Sequence, residues 1–297
     1  MRHWRPKWVF VGAAAGLVLG GGAVAHGLRA PEATPPAGVR PPDMAATAER
    51  TPPITPLQYG RYRGYSYGPT VLDYSDGLHE FYFTRGIYSG GGFGRSRRGS
   101  SWAVDYPKAD IQFLWGLKRL TNIDAYDWQN AVLLTDPDLR RHPFLYVLEV
   151  GSMHLTPDEI EGLRSYLLAG GFLFVDDFWG TRQWQNFEYE IHQVLPEYEI
   201  VELPADHPLL STFFVIDEIL QVPNISNAQR GYTSEQDGFV PHMRAIFDDT
   251  GRLLVLINWN TDLGDAWEWA ESPWYPLPYS NFAYQVAVNA IIYSMSH

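Results

Sequence analysis

The chain contains no cysteine among its 297 residues. That excludes disulfides, thiolate metal sites and any cysteine nucleophile. Basic residues are scarce as well: 22 Lys and Arg face 34 Asp and Glu, giving a formal charge of −12. A nucleic-acid groove needs a basic stripe, so no nucleic-acid partner is expected. The 9 histidines show no H-E-x-x-H or H-x-H spacing, which argues against a zinc hydrolase. Neither a Walker A motif nor a dinucleotide fingerprint is present, because Gly90-Gly91-Gly92 has the wrong spacing and no Lys-Ser/Thr follows. No repeat with a period of about 20 to 50 residues is visible.

What is present begins with a basic flank, Arg2, Arg5 and Lys7, followed by the 18 uncharged residues WVFVGAAAGLVLGGGAVA. Residues 1–27 therefore read as an export signal, either cleaved after Ala23-Val24-Ala25 or retained as a signal anchor. At 1.5 Å per residue the apolar run spans about 27 Å, barely the hydrocarbon core of a bilayer. Residues 28–77 are rich in Pro, Ala, Thr and Gly and lack apolar periodicity, which predicts an extended linker. Its last part, LQYGRYRGYSYGPT, reads as an arm packing on the domain that follows.

Residues 78–297 carry alternating strand and helix signals. HEFYFTRGIYS, NAVLLTD, FLYVLEVG, FLFVDD, EIVELP, RAIFD and RLLVLINWN read as strands. DYPKADIQFLWGLKRLT, the segment from Thr156 to Gly170, RQWQNFEYEIHQVL and NFAYQVAVNAIIYSM read as helices. Thr156-Pro157-Asp158-Glu159 is a capping-box start, and Gly170 supplies the stop. Phe282, Val286, Ala290 and Tyr293 fall on one face of the last helix. The stretch from Val222 to Pro241 is read as an irregular excursion. This alternation predicts an α/β fold with a doubly wound, mostly parallel sheet and helices on both faces.

The run GGFLFVDD ends in two adjacent carboxylates, Asp176 and Asp177. In an open α/β sheet, ligands gather at the carboxyl ends of the strands. Either aspartate could act as nucleophile or general base, or bind a hard cation such as Mg²⁺ or Ca²⁺. Strand neighbours point to opposite faces, so only one is expected in a given cleft. The alternative is a helix cap and a solvated loop. NWNTDLGDAWEWAES follows the last apolar strand. Its Asn258, Asn260, Asp262, Asp265 and Trp267 are candidate ligand-binding residues, with Asp177 and Asp265 as candidate metal ligands. Turn formation explains the same composition. His207, in a His-Pro context, is a further catalytic candidate or a turn cap. The glycines and arginines of GGGFGRSRRGSS could hold an anion or form a plain loop.

Several pieces together resemble a known family, the domain of unknown function DUF4159. They are FYFTRGIYSGGG, Trp102 with DYPKADIQFLWGLKRLT, FLYVLEV, LTPDEIEGLRSYLLAGGFLFVDD, DHPLL and NWNTDLGDAWE, over roughly residues 79 to 295. The family is similar to the class I glutamine amidotransferase-like and trehalose-utilisation-like proteins, which implies a flavodoxin-like sheet. In amidotransferases the turn after such a strand carries a nucleophilic cysteine on a strained elbow. Here Asp176-Asp177 takes that place, so thiolate glutaminase activity is excluded. The resemblance implies a binding or scaffold module of the bacterial envelope, periplasmic or tethered to the membrane, with envelope proteins or a small polar ligand as partners. The alternative is a divalent-cation-assisted hydrolase acting on a carbohydrate or similar polar substrate. Convergence of the carboxylates on one cleft favours the enzyme, and their scatter favours the module.

Overall fold

The computed structural model describes residues 68–72, 77–90 and 101–297. The expected export signal, most of the linker and the glycine–arginine segment 91–100 lie outside them. Seven strands form one sheet: β1 (Thr84–Ile87), β2 (Asn130–Leu133), β3 (Phe144–Leu148), β4 (Phe172–Asp176), β5 (Ile200–Glu202), β6 (His242–Phe247) and β7 (Leu253–Trp259). Their order is β2-β1-β3-β4-β7-β6-β5. The first five in that order run parallel. β6 and β5 extend the sheet antiparallel. The parallel part has the flavodoxin-like order, with the chain reversing direction across the sheet beside β1. The doubly wound α/β fold expected from the sequence is the fold observed.

Because strand side chains alternate, the sheet carries two cores. Phe144, Tyr146 and Leu148 of β3 and Phe172 and Phe174 of β4 pack on one face. That face is covered by α1 (Lys108–Leu120), α5 (Leu263–Glu268) and α6 (Leu277–Ser296). Leu145, Val147, Leu173 and Val175 face the other way. They meet α2 (Pro157–Leu168) and α3 (Gly180–Val194). The capping box is present as the sequence implies: Thr156 Oγ1 accepts from the Glu159 amide and Glu159 Oε2 accepts from the Thr156 amide. Gly170 follows the helix at φ +113°, a backbone value that suits glycine.

Two differences matter. α6 is buried on more than one face, since Val286 to Ile291 are all buried. The segment at 209–216 covers the side left open by the sheet, and Asn289 bonds Leu209 O, Phe214 O and the Phe214 amide. The excursion contains a short helix, α4 (Ile225–Arg230), capped by Asn224. Thr70, the last residue of LQYGRYRGYSYGPT, packs on the domain. The Thr70 amide donates to Ala131 O and the Ala131 amide donates to Thr70 Oγ1. These bonds occupy groups that edge strand β2 would otherwise leave free. Among the described residues no helix is long and apolar enough to cross a membrane.

Candidate functional site

The parallel strands deliver acidic residues to a single edge. β4 ends at Asp176, which is wholly buried on the α5 face. Its carboxylate accepts from the amides of Leu263 and Gly264, at 3.0 Å each, and from the Tyr146 hydroxyl at 3.0 Å. Asp176 thus caps α5, together with Asp262, whose Oδ1 accepts from the Asp265 amide at 2.7 Å. Burial pushes Asp176 up to about 7, and these hydrogen bonds limit the rise.

Strand alternation alone would send Asp177 to the opposite face. Instead it leaves β4 in the left-handed region, at φ +49°. It is 7 % exposed and accepts from the Trp179 indole N–H at 3.0 Å. Burial raises it well above the usual carboxylate range, and the charges of Glu149, Asp105 and Asp176 raise it further. The two aspartates therefore share one electrostatic site, against the expectation that only one would enter. The left-handed turn is the physical reason.

The same conformation recurs along the edge. Asp105 (φ +59°), Glu149 (φ +55°) and Asn260 (φ +61°) are also left-handed. Glu149 follows β3, and its amide donates to Asp177 O at 3.1 Å. Burial, then the charge of Glu235, pushes Glu149 up to about 7. Non-glycine residues held in this region cost free energy and cluster at working sites.

Asp105 precedes α1 and is placed by Arg85, a fully buried cation of β1. Arg85 forks onto Asp110 and donates to the carbonyls of Trp102 and Val104, the latter at 2.6 Å. Its guanidinium lies over the Tyr106 and Tyr146 rings, 5.4 and 5.1 Å from their centroids. Asp105 Oδ2 is buried and has no hydrogen-bond partner. It lies, with the Tyr146 hydroxyl, at the spot where a Gly264 Cβ would project, 3.0 and 2.9 Å away. Any larger residue at Gly264 would obstruct that approach. Burial, then Asp265 and Glu268, raises Asp105 well above its ordinary value.

Asp265 and Glu268 complete the cluster. Asp265 Oδ2 accepts from the Ile225 amide at 2.6 Å and Oδ1 accepts from the Trp269 indole at 3.0 Å. Burial raises Asp265 and pushes Glu268 up to about 7, with Lys108 opposing the rise at Glu268. One oxygen each from Asp105, Asp265 and Glu268 lies within 4.8 Å of the others. Three converging carboxylates, one with an orphaned oxygen, fit a hard cation taking oxygen ligands. Lys108 Nζ stands 3.6 Å from Glu268 Oε1, so an ion would share that carboxylate with an ammonium.

Of the residues proposed from sequence, Asp176, Asp177, Asp262 and Asp265 meet here. Asn258 and Asn260 border the site but are bound to backbone: Asn258 Nδ2 donates to Val175 O, Asn260 Oδ1 accepts from the Gly180 amide, and Asn260 Nδ2 donates to Val240 O. Trp267 is wholly buried, with its ring among Phe83, Phe113, Tyr146 and Phe174. It fills the core and presents no face to a ligand. His207 lies at the other edge of the sheet. Its ring meets Phe247, which is in register with the first residue of β7, and Tyr293, which meets the first residue of β4. There it caps a 3₁₀ turn by accepting from the Leu209 amide. Sequence reasoning missed Asp105, Glu149, Glu235 and Glu268. Glu149 closes FLYVLE as Asp176 closes FLFVD, and the same strand-end rule would have found it.

The family model for Domain of unknown function (DUF4159) matches residues 92–295, the part of the chain that supplies Asp105, Glu149, Asp176, Asp177, Asp262, Asp265 and Glu268. No curated protein matches the sequence. The match spans well over half of the chain, and the protein belongs to the DUF4159 family.

Proposed function

We propose that this domain is a divalent-cation-assisted hydrolase for a polar substrate such as a carbohydrate, working outside the cytoplasm after export by residues 1–27. The observation that carries the reading is the convergence of eight carboxylates at the carboxyl edge: Asp105, Glu149, Asp176, Asp177, Glu235, Asp262, Asp265 and Glu268. Arg85 is already paired with Asp110, and Lys108 with Glu268. Burying that much like charge is unfavourable unless protons or a cation neutralise it. Mg²⁺ or Ca²⁺ on Asp105, Asp265 and Glu268 would supply the missing charge and polarise a bound oxygen. Glu149 titrates near neutral pH and neighbours Asp177 through the backbone, as suits an acid and base pair. A link to the class I glutamine amidotransferase-like proteins accords with the strand order and the strained residue after β4. Without cysteine, the chemistry at that elbow would fall to carboxylates.

The envelope scaffold is the second reading. It is favoured by exposed apolar side chains, among them Phe213, Val215, Trp274 and Leu277, which are at least half exposed. Manganese titration followed by electron paramagnetic resonance, with a panel of chromogenic glycosides, separates the two. Saturable binding of one Mn²⁺ that Glu268→Gln weakens, with turnover of any member, supports the enzyme. Neither binding nor turnover would leave the scaffold and send the search to envelope partners.

A further inference from the structure

The four aspartates Asp176, Asp177, Asp262 and Asp265 are each under a tenth exposed. A substrate reaches them only if something moves. The segment Gly231–Pro241 covers the exits of β4 and β7. A Cβ on Gly180, the first residue of α3, would fall 2.0 Å from Asp237 Oδ1, and one on Gly238 would fall 2.3 Å from Asn260 Oδ1. The segment also brings Glu235 to the cluster. The Asn224 side chain, at the start of α4, donates to Glu235, and the next amide, Ile225, donates to Asp265.

What holds this segment down is polar. Asp237 accepts from the Thr181 amide at 2.9 Å and from the Thr181 hydroxyl at 2.6 Å. Gln221 Nε2 donates to Gly238 O and Asn260 Nδ2 donates to Val240 O. No side chain from Gly231 to Pro241 is buried; Tyr232, Phe239 and Val240 are 63 %, 70 % and 58 % exposed. A segment with hydrogen bonds and no apolar anchor opens at far less cost than the core around it. Gly231 (φ +76°) and Gln236 (φ +50°) are turn points at which the backbone can swing, and a Cβ at Gly231 would meet nothing within 4 Å.

We infer that Gly231–Pro241 is a lid latched to the start of α3 by Asp237 on Thr181, and that its opening admits substrate and cation to the acidic edge. The lid rests on the proposed function for its purpose but not for its motion, so the test has two arms. In the first, hydrogen exchange follows the Gly180 and Thr181 amides. Local opening makes both exchange faster than the core amides of β4, and Asp237→Ala speeds the Thr181 amide, which loses its acceptor, about tenfold or more, the worth of the lost hydrogen bond. Exchange of these two amides only at the rate of global unfolding would overturn the lid. The second arm uses the absence of cysteine. In Thr181→Cys/Asp237→Cys a disulfide shuts the latch and reductant reopens it. Mn²⁺ entry, read by quenching of tryptophan fluorescence near Trp269, slows in the oxidised form, recovers on reduction and quickens in Asp237→Ala. Equal entry rates in all three would overturn gating, whereas an absence of Mn²⁺ quenching in every form would overturn the cation reading and leave the exchange result to decide the lid.

Discussion

Raising the pH tests the acidic edge without altering a residue. Asp176 is wholly buried and titrates at about 7, against 3.8 for the free side chain. Its folded-state value is raised, so the unfolded chain releases the proton first. Between those two values the folded state holds a proton that the unfolded state has lost, and stability falls as pH rises. Each such group costs about 1.4 kcal/mol per pH unit in that window. From pH 5 to 6.5, Asp176 alone removes about 2 kcal/mol, and a domain of this size loses about 2–4 °C of melting temperature per kcal/mol. The expected drop is about 4–8 °C in chelator, steeper where Glu149 and Glu268 add to it. Asp176→Asn keeps an acceptor for the α5 amides and removes the titration, so its melting temperature should fall less over the same range. Calorimetric melts at pH 5, 5.5, 6, 6.5 and 7 with chelator provide the measurement. A melting temperature that is level or rises with pH would refute the burden of buried charge.

Other expectations follow from single contacts. Arg85→Met strands Asp110 as a buried, unpaired carboxylate and frees the carbonyls of Trp102 and Val104; denaturant unfolding should show a loss of about 3–5 kcal/mol. Asn289→Ala leaves the Phe214 amide and carbonyl without their side-chain partner and should cost about 1–3 kcal/mol by the same assay. Gly162→Ala places a Cβ 2.1 Å from Leu134 O, so it should lower the melting temperature although alanine is the better helix former. His207→Ala, at the edge remote from the carboxylates, should leave Mn²⁺ affinity unchanged.

The fold was legible because its signals are local and repeated. FLYVL and FLFVD are continuous apolar runs, as strands buried on both faces must be. The capping box at Thr156 announces α2 within four residues. The site was half legible. Asp176 and Asp262 could be placed at strand ends by rule, but the rule that neighbours alternate failed at Asp177, because a left-handed residue is invisible in the sequence unless it is glycine. Asp105 was read as part of a helical segment and Glu268 as part of a turn-forming loop, and only tertiary packing brings α1 against α5 and sets their carboxylates together. Trp267 and His207 misled for the opposite reason. An aromatic or imidazole side chain suits a ligand and a core equally well, and burial decides between them.

The most direct measurement is anomalous diffraction at the manganese edge from crystals of the chain soaked in Mn²⁺ near pH 7.5. A cation site on this edge gives one strong peak within bonding distance of Asp105, Asp265 and Glu268, and none in Glu268→Gln. An ordered, undistorted cluster with no peak between those three carboxylates would contradict it and show the edge to be neutralised by protons alone.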